Sequence, residues 1–195
     1  MTNENFTPEQ SLQLIRSMIS KTKQNMSDNS IYFLVWGWLT FIACTAQFVL
    51  KNIFQYEKHY LVWTVIIIGV AFSIYQGRKE GTSVKAKTYV DENMKHLWAG
   101  MAISFFVLGM ILTRLGWGTV IFPFFIMLYG LGTFVSGNFI QFRPLIIGGI
   151  IAWALAIGST FVNYDYQMLF GAGAILISYI IPAHMLRYRN KIAND

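Results

Sequence analysis

IYFLVWGWLTFIACTAQFVL, residues 31–50, runs for twenty residues without Asp, Glu, Lys or Arg. A hydrocarbon core about 30 Å thick is crossed by about twenty helical residues, so this stretch reads as a membrane span. The pattern recurs at residues 60–77, 97–115, 117–138, 145–162 and 166–186, with no charged residue deep within any of them. Lipid offers backbone N–H and C=O groups no partners, which leaves helices or closed barrels, and runs of this length without period-two alternation are helical. The expected fold is all-α: a polytopic membrane bundle of six transmembrane helices over residues 31–186. An amphipathic cytoplasmic head, residues 1–30, precedes it, and a cytoplasmic tail, residues 187–195, follows.

Lys and Arg set the orientation, because cytoplasmic loops carry the excess. The head, the second connection, the fourth connection and the tail hold Arg16, Lys21, Lys23, Arg78, Lys79, Lys85, Lys87, Lys95, Arg143, Arg187, Arg189 and Lys191. The opposite side holds only Lys51, Lys58 and Arg114. Both termini are therefore expected in the cytoplasm, which an even number of spans requires. The net charge of +6 follows from this asymmetry, so direct nucleic-acid binding is not expected. Membrane lipids are the expected partners of the basic face, and Arg16, Lys21, Lys23, Arg78, Lys79, Arg143, Arg187 and Arg189 are its candidate contacts with headgroups or a protein partner.

Trp36, Trp38, Trp63, Trp98 and Trp117 fall near span ends, where an amphipathic ring sits at headgroup level. Trp153 lies mid-span, packed between helices or lining a cavity. The single cysteine, Cys44, excludes an intramolecular disulfide. The Phe41-Ile42-Ala43-Cys44 sequence is not a lipoprotein cleavage site, because the apolar run continues through Leu50.

In the head, Thr7 is placed to cap a helix, with Pro8 at its first position and Gln10 at the capping-box position. Leu12, Ile15, Ile19 and Met26 share one face, while Glu9, Gln13, Arg16, Ser20 and Lys23 populate the remainder. Such a helix lies in the inner interface, covers the cytoplasmic end of the bundle or docks a partner. After a break at Gly81-Thr82-Ser83, Val90, Met94, Leu97 and Met101 recur at helical spacing, so the third helix extends about two turns below the membrane.

Small residues four apart let helix backbones approach closely in lipid. The pairs Gly132/Ser136, Ala152/Ala156, Ala154/Gly158 and Ala174/Ser178, with Gly148-Gly149, point to a compact core of spans four to six. The same spacing also suits a homo-oligomer.

No reaction is legible. His59, His96 and His184 are too scattered for a zinc motif, no serine has a base and acid in its neighbourhood, and no phosphate-cradling Gly-Lys motif occurs. No catalytic, metal-binding or cofactor-binding residue is assigned, and no cofactor is expected. Ion-coupled transport ordinarily needs an ionisable group at membrane depth, and none is present. Gln47, Tyr129, Trp153 and Tyr179 are the candidates for an intramembrane polar cavity, with Thr45 and Tyr75 as further polar positions.

Several blocks resemble a family of small six-span bacterial inner-membrane proteins that has no assigned activity. They are residues 9–19 (EQSLQLIRSMI), Asp28-Asn29, Trp36-Gly37-Trp38, residues 130–134 (GLGTF), Arg143-Pro144-Leu145 with Gly148-Gly149-Ile150 and Trp153, and residues 180–184 (IIPAH). The resemblance implies the bacterial inner membrane and a regulatory or envelope-stress setting beside small winged-helix regulators. Two function classes follow: a non-enzymatic sensing, regulatory or scaffolding module, or a small uncoupled transporter or channel. A lipid-active enzyme is a third, weaker reading. A continuous polar cavity at Gln47, Tyr129 or Trp153 favours transport, and a solid apolar core favours the module.

Overall fold

The computed structural model describes the backbone over residues 8–81 and 89–192, and the side chains of residues 30–79, 90 and 92–189. The described residues are all-helical, with no strand. Helix α1 (Pro8–Asn52) carries the head and the first span as one unbroken element. A 3-10 segment, His59–Val65, leads into α2 (Ile66–Gly81), and α3 (Tyr89–Arg114) begins two turns ahead of Leu97. The α3 end turns at Gly116, whose φ of +74° is the left-handed conformation that costs glycine least. A short 3-10 segment, Gly118–Val120, then opens α4 (Ile121–Phe139).

Helix α5 (Arg143–Ser159) has Pro144 in its first turn, where the missing N–H removes no helical bond. Helix α6 (Tyr164–Ile175) passes through a π-helical segment, Leu176–Ile180, into α7 (Ile181–Ile192). The extra residue in that segment advances the helix phase, which the apolar run alone does not reveal. Thr7 and its expected cap, and residues 82–88 with Lys85 and Lys87, lie outside the described residues.

Five helical segments are long and apolar enough to cross a membrane: Ser30–Asn52, His59–Lys79, Glu92–Arg114, Gly118–Phe139 and Tyr164–Arg189. Of the six expected spans, the stretch 145–162 is the one whose helix is shorter than these five. Its helix, Arg143–Ser159, has 17 residues because Thr160 and Phe161 already turn the chain, their N–H groups bonding Ile157 and Gly158 carbonyls. At 1.5 Å per residue it is roughly 26 Å long, a little short of the hydrocarbon core.

The core comprises α4, α5, the α6–α7 rod and α1. Phe33 and Gly37 of α1 meet Tyr179 and Ile180, while Lys51 at its far end meets Asp165, so the first and last long helices lie antiparallel. This pairing was not expected from the sequence. Helix α2 rests on α1 through Tyr32–Phe72 and Trp36–Ser73, and α3 rests on α4 through Phe105–Phe125. Both flanking helices turn large apolar side chains outward, Ile67 and Phe106 each being 69% exposed.

The closest approach joins α4 to α5. A Cβ built on Gly149 would stand 2.7 Å from Phe134 Cβ and 2.8 Å from the Gly130 carbonyl oxygen, and one on Gly137 would stand 2.7 Å from the Ile146 nitrogen. On the other side of α5, a Cβ on Gly148 would meet the Ser178 backbone at 2.8 Å. The expected core of spans four to six is thus present, with its faces partly reassigned. Gly132 looks toward Trp98 and Met101 of α3, and Ser136 accepts the Trp98 indole, so that pair belongs to the α3–α4 contact. Ala154 is exposed, whereas Ala152, Ala156 and Ala174 pack together around Ile126.

Two glycine substitutions separate these environments. Gly149→Leu is expected to lower the thermal midpoint of the detergent-solubilised protein, costing about 1–3 kcal/mol by overpacking. Gly173→Ala, where a Cβ meets nothing within 4 Å, is expected to leave it unchanged or raise it slightly, because alanine favours the helix by roughly 0.5–1 kcal/mol. Equal effects in a melting assay would refute the packing face.

Candidate functional site

The amide of Gln47 stands at the end of the bundle that carries the short connections 53–58, 115–117 and 160–163, 2% exposed, and binds three aromatic or imidazole groups. Trp63 donates its indole N–H to Gln47 Oε1 at 2.6 Å. Because indole nitrogen only donates, that contact fixes which end of the amide is oxygen. Gln47 Nε2 then faces His59 Nδ1 at 3.2 Å and donates to the Tyr164 hydroxyl at 3.4 Å. With Nε2 a donor, His59 accepts at Nδ1 and carries its proton on Nε2. One turn further along α1, Lys51 forms an ion pair with Asp165, and its ammonium lies 4.4 Å from the centre of the Tyr164 ring. The cluster ties α1, the 3-10 segment before α2 and the start of α6 to one another.

At the opposite end the contacts are aromatic. Phe33, Trp98 and Tyr179 meet pairwise edge to face with centroids 4.9–6.2 Å apart, and Tyr129 lies 6.0 Å from Tyr179. The π-helical segment brings Tyr179 into this group while its neighbour Ser178, fully buried, faces Gly148. Trp98 donates to Ser136 Oγ at 3.1 Å, and the Tyr129 hydroxyl shares a 3.1 Å bond with Thr40 Oγ1. Offset and edge-to-face rings bring the ring edge of one onto the face of another, and such pairs hold helices together without needing water to be expelled.

The four candidates for a polar cavity are therefore dispersed. Gln47 lies in the first cluster, and Tyr129 and Tyr179 lie in the second. Trp153 packs over Gly130 and Phe134 and donates its N–H to the Met127 carbonyl at 3.1 Å. Thr45 bonds its own helix at the Phe41 carbonyl, and Tyr75 is on the outer surface at 66% exposure. A cleft of about 980 Å³ opens on the outside of the bundle between α4 and α5, lined by apolar groups such as Val120, Phe124, Met127, Leu131, Trp153 and Ile157. At its end near the short connections stands Gln167, 5% exposed. Its Nε2 donates to the Val162 carbonyl at 3.3 Å, and its Oε1 is buried with no partner.

Of the candidate basic contacts, Arg78 and Lys79 end α2, Arg143 opens α5, and Arg187 and Arg189 lie in α7. They share the end occupied by Phe33 and Trp98, and the Arg189 guanidinium lies 4.7 Å over the Phe142 ring. The side chains of Arg16, Lys21 and Lys23 lie outside those described, on the helical backbone of α1. Sequence reasoning missed the partners of Gln47, the Lys51–Asp165 pair and Gln167. The signal available was their position: a polar or charged side chain within one turn of a span end must find a partner in the protein or in the interface.

Comparison of the chain with protein-family models, curated proteins and solved structures finds no match in any of the three.

Gln47→Leu removes the acceptor of Trp63 and the donor to His59 and Tyr164, and is expected to destabilise by about 1–3 kcal/mol. Tyr129→Phe is expected to cost less than about 1 kcal/mol, because the Thr40 hydroxyl can turn to the carbonyl one helical turn earlier. Thermal unfolding of both variants in one detergent checks the order.

Proposed function

We propose that the chain is a non-enzymatic sensing, regulatory or scaffolding module of a bacterial cytoplasmic membrane, crossing it six times with both termini inside. The single observation that carries this reading is the division of labour between the bundle and its basic end. Within the bundle Gln47, Tyr129 and Trp153 are engaged by neighbouring helices, and the cleft beside Trp153 is apolar. That arrangement supports a solid scaffold over a polar conduit, and hence the module over an uncoupled transporter or channel. Ten of the fifteen Lys and Arg residues, meanwhile, lie on described backbone at the end where α2 stops and α5 starts, or on the head and tail helices that continue from it.

Helix α1 supplies the reaching element. Measured from Ser30 back to Pro8, its helical extension is roughly 33 Å long at 1.5 Å per residue. An interfacial helix would need a sharp bend near Ser30, and α1 has no break there, which favours a projecting, partner-docking head over one lying flat. Helix α5 reverses the chain between α4 and α6, and its short length is accommodated by modest local thinning of the bilayer.

Reporter fusions at Asn29 and after residue 195 are expected to report cytoplasm, and fusions near Glu57 and Asp165 the opposite side. Photo-crosslinkers placed at Gln13 and Ser20 in cells are expected to trap a discrete cytoplasmic protein, while the full chain in sealed vesicles leaves ion and dye gradients intact. A periplasmic tail, or vesicles that become leaky, overturns the reading.

A further inference from the structure

We propose that the outer cleft between α4 and α5 is a binding site for one acyl chain of a membrane lipid that presents a hydroxyl to Gln167. The inference rests on the membrane placement of the bundle and not on the docking role of the head.

Three observations converge. The lining from Val120 to Leu131 covers twelve residues, eleven of them in α4, roughly 16 Å along the helix axis, which is about half of a 30 Å hydrocarbon core. The cleft therefore has the reach of a single leaflet. It starts at Gly116, Thr160 and Gln167, beside the short connections, and ends mid-bundle at Leu131 and Trp153, so a chain enters from the leaflet on that side. Its volume of about 980 Å³ lies within the range of sites that hold small ligands, and its walls are those a hydrocarbon chain prefers.

The polar requirement is set by Gln167. Its Nε2 donates to the Val162 carbonyl, so the amide cannot be flipped without setting two oxygens against each other, and Oε1 is left as a buried acceptor without a partner on a residue that lines the cleft. A buried acceptor without a donor is costly, and a ligand that brings a donor removes that cost. A hydroxyl fits where an ammonium does not. Asp165, in the same turn of α6, is already paired with Lys51, and an unpaired cation at a 5%-exposed position carries a large desolvation penalty.

The test reconstitutes the full chain in phosphatidylcholine vesicles. It adds a monoacylglycerol bearing a mid-chain diazirine, or the methyl ester of the same diazirine fatty acid, which lacks the donor. After irradiation the labelled residues are mapped by peptide mass spectrometry. Label is expected at Met127, Leu131 and Ile157, saturating with probe, with half-saturation at roughly fivefold lower concentration for the monoacylglycerol. Gln167→Leu is expected to erase that fivefold preference at unchanged cleft labelling by the ester. Ile157→Trp, at a position 65% exposed and therefore tolerant in folding, is expected to block labelling by both probes. Label spread evenly to outward positions such as Ile67 and Phe106, equal half-saturation of the two probes, or a preference that survives Gln167→Leu each overturns the proposal.

Discussion

The bundle depends on backbone-to-backbone contact between α4 and α5. In lipid no hydrophobic drive pulls one apolar helix toward another, so association relies on close packing and on hydrogen bonds between helices. Gly130, Gly137 and Gly149 remove side chains along that seam, and Gly148 does the same toward the Ser178 backbone. One short helix is thereby clasped on two sides, and α4 and the α6–α7 rod are located by reference to it. Helix α1 completes the core by lying along that rod, and α2 and α3 add only to its flanks.

Directional bonds do what close packing cannot. The Gln47 amide has three neighbours placed by different parts of the chain, and its oxygen and nitrogen ends are distinguished by the indole of Trp63. A rotation of α1 about its own axis would break all three together. At the far end, edge-to-face contacts among Phe33, Trp98 and Tyr179 leave more latitude in angle. The bundle is therefore pinned in rotation at one end and cushioned at the other.

The apolar runs were legible in the sequence because length and hydropathy follow directly from bilayer thickness, and five of the helices have the length and composition expected. The partners of each face were not. Gly132 and Ser136 have the spacing of a helix–helix seam, yet the space above them is filled by Trp98, since spacing gives the angle of a residue on its helix and not the identity of what fills the gap. The insertion at Leu176–Ile180 shifts the phase of everything after it, so Ser178 and Tyr179 serve two different neighbours. Gln167 escaped notice for a related reason: a glutamine one turn inside a span looks like any interfacial residue until its two amide atoms are accounted for separately. The basic end was readable from charge alone, while the side chains of Arg16, Lys21 and Lys23 lie beyond what the structure describes.

The continuity of α1 has a mechanical consequence. A helix without a hinge behaves as a rod, so the segment held between Gln47 and Phe33 and the extension toward Pro8 share one axis. Tilting that axis by about 10° displaces the tip of a roughly 33 Å extension by about 6 Å, about the rise of one helical turn. A small tilt of the gripped segment would thus be enlarged at the far end of the helix to about the rise of one turn. The lever ratio is set by where the bundle grips the rod.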